Sequence, residues 1–229
     1  MGKFRIDLLR HGESQYSHTL RGHLDDELTA KGWQQMQSTI EQVTNQAWDV
    51  IISSSLKRCA CFAEQLAKTT QLPLLLNHDL KEMYFGDWEG VSTQQIYETS
   101  PELLANFWQK PSQYCPPRAE TLNQFQIRVL KGFQDLLKHM QKQNLQHALV
   151  ITHGGVIKLL ACLARQQPLD DLLKMPAELG KLYSLEFSGN RWSINFYIKI
   201  VVLYFYTLVS YYFYNIIFSL CNRTVIARN

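Results

Sequence analysis

The chain has 229 residues, with 23 Lys and Arg against 20 Asp and Glu and a formal net charge of +3. That length is enough for one α/β domain with a sizeable core, and so small a charge excludes the basic footprint of a nucleic-acid binder. The excess is also confined to the end: after Asn190 come Arg191, Lys199, Arg223 and Arg228 with no acidic residue, leaving 19 basic and 20 acidic residues in the body.

In chain order, residues 3–9 read as a buried strand. Thr29 is placed to cap a helix running to about Gln42, with Trp33, Met36 and Ile40 on one face. Trp48–Ser53 contains Val50-Ile51-Ile52 and reads as a second buried strand, followed by a helix over Leu56–Lys68 and a short strand over Pro73–Leu76. Residues 92–109 hold helical pieces broken at Pro101, and residues 110–119 form a Pro-marked loop. Thr121 caps a long helix to about Gln141, Ala148–Thr152 is another strand, and a helix runs from about Val156 to Ala164. Leu182–Phe187, a Ser-Gly-Asn turn and Trp192–Ile198 read as a hairpin. Strands alternating with helices predict a three-layer α/β/α fold around a mostly parallel sheet.

Five cysteines (Cys59, Cys61, Cys115, Cys162, Cys221) are an odd number in a chain too long to need staples, and Cys59-Ala60-Cys61 lacks the spacing of a zinc site. A reducing, cytoplasmic setting is expected. No signal peptide is expected, because strand-like sequence begins at Lys3.

The first strand stops at Arg10-His11-Gly12. In open α/β sheets, ligands bind in the crevice at the C-terminal ends of strands. The planar fork of arginine suits a phosphate dianion, and an imidazole that is largely neutral near pH 7 can attack phosphorus. The strand at 148–152 also ends in His153-Gly154-Gly155, so two distant strands present His-Gly at the same kind of edge. Arg58, one turn into the helix after the second strand, is placed to reach that crevice. Glu82 sits among bulky apolar residues, where burial would raise its pKa as a general acid requires. Each residue alone also fits a purely structural role.

Together these pieces resemble the histidine phosphatase superfamily, phosphoglycerate-mutase-like branch. The matching stretches are Leu9-Arg10-His11-Gly12-Glu13-Ser14, Leu28-Thr29-Ala30-Lys31-Gly32, Ser53-Ser54-Ser55-Leu56-Lys57-Arg58, Glu82 with Phe85-Gly86-Asp87-Trp88-Glu89-Gly90, and Thr152-His153-Gly154-Gly155. They fall in family order and span roughly residues 3–198. The resemblance implies that His11 becomes phosphohistidine and that Arg10, Arg58 and His153 surround the phosphoryl oxygens. It implies that Glu82 protonates the leaving alcohol and then activates water. Arg10, Ser17, Arg58 and Gly154 are the implied substrate contacts. No metal and no cofactor is implied, because side-chain cations fill that role. Ser17 stands where many members carry Asn, a shorter donor at the same place.

Mutases of the family carry a histidine-tyrosine motif after the acid and a longer insertion; the sequence after Glu82 is similar to the phosphatase branch instead. Gly22-His23 and Pro116-Pro117…Glu120-Thr121 are most similar to the α-ribazole phosphatase group, which implies a role in cobalamin nucleotide-loop assembly. On that reading the substrate is a small phosphate ester, the loop Phe107–Glu120 shapes its selection, and Trp108 and Tyr114 stack on a planar base. The alternatives are a broad-specificity sugar or nucleoside phosphate phosphatase and a membrane-attached phosphoprotein phosphatase.

Residues 200–221 are 22 positions without a charge, bracketed by Lys199 and Arg223. About 20 apolar residues span a bilayer as a helix, but the run is crowded with tyrosines, which prefer the interface to the bilayer centre. Three readings stand: a C-terminal membrane anchor over 199–229, a non-native extension from AT-rich DNA, and further folded structure on the domain.

Overall fold

The computed structural model describes residues 4–43, 47–187 and 194–197. Six strands form one sheet: β1 (Phe4–Arg10), β2 (Val50–Ser54), β3 (Leu74–Asn77), β4 (His147–Thr152), β5 (Leu182–Phe187) and β6 (Ile194–Tyr197). Their order is β3-β2-β4-β1-β5-β6. The first four strands run parallel, and β5 and β6 continue the sheet antiparallel to β1 and to each other. The expected α/β fold with a mostly parallel sheet is therefore present, and the hairpin predicted at the C-terminal side is its antiparallel edge.

Helices cover both faces. They are α1 (Ala30–Gln42), α2 (Lys57–Thr70), α3 (Thr93–Thr99), α4 (Pro101–Gln109), α5 (Leu122–Lys142) and α6 (Gly154–Ala164). Alternation along the strands divides the core. Ile6, Leu8, Val50, Ile52, Ala148 and Val150 pack with Phe125, Val129 and Phe133 of α5 and with Val156, Ile157 and Leu160 of α6. Leu9, Ile51, Leu149 and Ile151 point the other way, onto Met36 of α1 and Phe62, Ala63 and Leu66 of α2. Each buried Val, Leu, Ile, Phe or Met among them contributes roughly 2 kcal/mol against exposure.

The capping predictions hold at both threonines. Thr29 Oγ1 accepts the Gly32 N–H at 3.1 Å, and Thr121 forms a reciprocal capping box with Gln124 at the start of α5. Pro101 begins α4 rather than merely interrupting a helix, since its missing N–H is no loss at a first position. The last helix starts two residues before the sequence suggested, at Gly154, because the Gly-Gly pair lies inside its first turn.

The chain divides after Tyr197 by its internal contacts, and the second unit, Ile198–Asn229, lies outside the described residues. The three readings of the 199–229 tail fall there. Among the described residues no helix is long and apolar enough to cross a membrane. Cys59, Cys61, Cys115 and Cys162 are all free thiols.

Candidate active site

Strands β1 and β4 are neighbours, with Arg10 opposite Thr152. The next residue of each, His11 and His153, therefore emerges side by side at the C-terminal edge, and the two rings lie 5.3 Å apart edge to face. The His11 N–H continues the ladder by donating to the Thr152 carbonyl at 3.0 Å. This edge opens into a cavity of about 310 Å³ whose wall includes Arg10, His11, Ser17, Arg58, Glu82 and Gly154. Six of the seven sequence-predicted site residues thus share one cavity. The seventh, His153, is fully buried beside His11, with Nε2 2.7 Å from Ser54 Oγ.

The protonation state of His11 follows from one contact. Its Nδ1 lies 2.7 Å from the Gly12 carbonyl, which can only accept, so Nδ1 carries the proton and Nε2 keeps its lone pair. Burial, reinforced by the positive charges of Arg58 and Arg10, holds this imidazole well below its ordinary pKa. Burial does the same to His153, again with Arg58 and the His11 ring adding to it.

Arg58 is the second residue of α2, closer to the helix start than one full turn. Its guanidinium is nearly all committed to the chain. Nη1 donates to the Leu24 carbonyl at 2.8 Å and to Asp26 Oδ1 at 3.2 Å, and Nη2 donates to the carbonyls of Arg21 and Gly22 at 2.8 Å each. Only Nε is left without a partner. Arg10 donates from Nη1 to the Ala177 carbonyl, and its Nε is likewise buried and unpartnered. Arginine offers five N–H donors, so each side chain keeps a donor in hand at the cavity.

Glu82 follows the 3-10 turn His78–Leu80 that ends β3. Its Oε2 accepts the Gly155 N–H at 3.0 Å and its Oε1 the Met83 N–H at 3.0 Å. The first contact ties the carboxyl group to the N-terminus of α6. The two glycines after His153 are what allow the site to close. A Cβ at Gly154 would lie 3.0 Å from the Arg10 guanidinium carbon, and one at Gly155 would lie 2.2 Å from Glu82 Oε1.

Ser17 Oγ accepts the Ser14 N–H at 2.9 Å, which leaves its own proton free to donate. Trp108 is on the cavity wall and 49% exposed, together with Phe85, Phe107 and Leu173. Tyr114, expected like Trp108 to stack on a substrate base, is not part of that lining and is 38% exposed.

Three residues at or behind the cavity were not anticipated. Arg21 and Lys158 line it, and Lys158 Nζ donates to the Leu173 carbonyl at 3.2 Å. Arg128 stands behind: it donates to the carbonyls of Asp79, Lys81 and Glu82 at 2.9 to 3.1 Å and pairs with Glu120, fixing the backbone that carries Glu82. The i+4 spacing from Gly154 to Lys158 is a helical signal that marks the same face. No local signal marks Arg21 or Arg128. Among the described residues, no group of three His, Cys, Asp or Glu side chains is arranged to hold a metal ion.

Comparison with known proteins places the chain in a family. The family model of the histidine phosphatase superfamily (branch 1) matches residues 6–199. The adenosylcobalamin/α-ribazole phosphatase of Escherichia coli K12 is 32% identical over 179 residues, 76% of this chain and 81% of that protein. Phosphoglycerate mutase-like protein 4 of Arabidopsis thaliana is 30% identical over 196 residues, 82% of each. The solved structure of YhfR from Bacillus stearothermophilus superposes with a TM-score of 0.77 at 27% identity, covering 86% of this chain and 96% of that one.

Proposed function

The chain belongs to branch 1 of the histidine phosphatase superfamily and is a phosphatase; we propose that it works through phosphohistidine on His11 and that its ester is α-ribazole 5′-phosphate. The observation that carries the mechanism is the His11 Nδ1–H donated to Gly12, which leaves the Nε2 lone pair at a cavity edged by arginines.

The reaction then runs in two displacements. His11 Nε2 forms a bond to phosphorus while the ester P–O bond breaks, and Glu82, as its carboxylic acid, gives its proton to the departing alkoxide. The phosphoryl-imidazolium keeps its Nδ1–H on the Gly12 carbonyl. Glu82, now a carboxylate, takes a proton from water as the oxygen attacks phosphorus. The P–N bond breaks, and His11 returns neutral with inorganic phosphate as product. The free N–H groups of Arg10 and Arg58 meet the charge on the equatorial oxygens, so the reaction needs no metal. His153, whose ring packs edge to face on that of His11 at 5.3 Å, helps hold the nucleophile in place.

The α-ribazole assignment is supported by the aromatic wall at Trp108 and Phe107, which suits a planar base, and by the similarity to the Escherichia coli enzyme. Lys158 favours a second reading, a broader phosphomonoesterase, because its ammonium can serve the hydroxyls of many sugar phosphates.

The test is a rapid-quench experiment with labelled substrate followed by a substrate panel. Wild-type protein is expected to trap acid-labile label, and His11→Ala none. On the panel, kcat/KM for α-ribazole phosphate should exceed those for 3-phosphoglycerate and a sugar bisphosphate by about 10-fold or more. Label retained in His11→Ala would overturn the mechanism, and a flat panel would overturn the substrate.

A further inference from the structure

The two displacements above give no role to Arg21, one of the cations lining the cavity. Arg21 stands on the wall with His11 and Arg58. The turn that carries it is fixed from several directions. Leu20 donates its N–H to Val91 at 3.0 Å and accepts from Gly90 at 2.7 Å. The carbonyls of Arg21 and Gly22 take the two bonds from Arg58 Nη2. Glu89 Oε1 accepts from the His23 N–H at 2.6 Å and from the Phe85 N–H at 3.2 Å, clamping this turn to the one that follows Glu82. Glycine at 22 is required for that approach, since a Cβ there would lie 2.1 Å from the Met83 carbonyl oxygen.

A rigid turn thus holds out a guanidinium whose Nη1 is buried and has no hydrogen-bond partner. An unpartnered buried donor is costly unless something arrives to accept from it. Burial lowers the pKa of Arg21, with Asp26 opposing and Arg58 and Arg10 adding to the effect, so the three cations feel one another across the same space.

We propose that Arg21 is a third arginine of the phosphoryl pocket, donating from Nη1 to an oxygen of the phosphoryl group as it passes from ester to His11. The inference rests on the phosphohistidine reading of the cavity. It adds a contact that forms with the transferring group rather than with the alcohol. The frame uses only the backbone carbonyl of Arg21, so the side chain can be changed without loosening the turn.

The experiment measures binding and turnover of the full chain with Arg21→Gln and Arg21→Lys. Calorimetric titration with orthovanadate and with inorganic phosphate reads the pocket directly. Arg21→Gln is expected to weaken vanadate binding about 10-fold and to lower kcat/KM on the order of 100-fold, with unchanged affinity for the free alcohol product. Arg21→Lys, which keeps the charge but loses the fork, should recover part of both. Vanadate affinity and kcat/KM within about 2-fold of wild type in Arg21→Gln would overturn the proposal. If Arg21→Gln does not fold, Arg21→Lys decides, and wild-type vanadate affinity there overturns it. Weakened vanadate binding in a protein that traps no label on His11 would leave Arg21 in place and remove the phosphohistidine reading, so the two failures are distinguishable.

Discussion

Gly155 donates its backbone N–H to Glu82 Oε2 at 3.0 Å, and the position where its Cβ would stand is 2.2 Å from the other carboxylate oxygen. The proton donor proposed for the leaving group is therefore held by a contact that tolerates no side chain. Gly155→Ala should displace the carboxylate while the fold survives, because what must move is the end of a flexible side chain. Turnover is expected to fall on the order of 100-fold, with a melting temperature close to wild type. Full activity in this variant would remove Glu82 from the mechanism.

The two buried histidines predict a pH-dependent stability. Burial first, then Arg58 and other neighbouring positive charge, sets both pKa values well below 6.5 in the folded chain. The unfolded chain binds protons near pH 6.5 while the native chain still does not, so stability is full above about that pH and drains away as pH falls below it. Urea midpoints measured at about pH 7.5 and pH 5.5 should differ, and His11→Asn should show a smaller difference. Equal midpoints for the wild type would contradict the buried neutral pair.

Asp7 sits at the middle of β1, three residues before Arg10. Its fully buried carboxylate accepts from Trp48 Nε1 at 3.0 Å and from Ser184 Oγ, and lies 2.8 Å from His147 Nε2. Burial alone would raise its pKa, but the hydrogen bonds from His147, Ser184 and Trp48 together outweigh it and hold the group below its ordinary value. Its contribution is present above the unfolded value of about 3.9 and is lost as pH falls through the lower folded one. Asp7→Ala should cost about 3 kcal/mol in urea denaturation at neutral pH, since it leaves Trp48, His147 and Ser184 without their shared acceptor, yet leave the kcat of folded protein unchanged.

Trp108 tests the substrate. Stacking on a base is worth roughly 1–3 kcal/mol, so Trp108→Ala should raise KM for α-ribazole phosphate about 10-fold or more. For 3-phosphoglycerate, which has no ring to stack, kcat/KM should stay within about 2-fold. Equal losses on both esters would assign Trp108 to closing the cavity instead.

Much of this site is legible along the chain because parallel strands end at a common edge. Arg10, His11 and Gly154 lie at or just past strand termini, and the order of β1 and β4 brings them together without further information. The threonine caps at 29 and 121 are equally local. The rest depends on contacts made far away in sequence. Asp7 looks like a polar residue out of place in a buried strand until Trp48, His147 and Ser184, 41 to 177 positions on, supply its hydrogen bonds. Arg21 lies in a polar stretch without periodicity, and its turn is shaped by residues 58 and 83–91. The meeting of the His153 ring with Ser54, 99 positions earlier on β2, has no local mark in the sequence either.

The commitment of Arg58 has a consequence for how such a protein can change. Its four bonds from Nη1 and Nη2 go to three backbone carbonyls and to Asp26. Asp26 apart, the turn over residues 21–24 is recognised by its peptide groups and not by its side chains. Scaffold and side-chain chemistry are thereby uncoupled: the residue at 21 is open to mutation while the backbone beneath it stays in register. A single codon change there can alter how tightly the transferring group is held, with no compensating change in the turn beneath it.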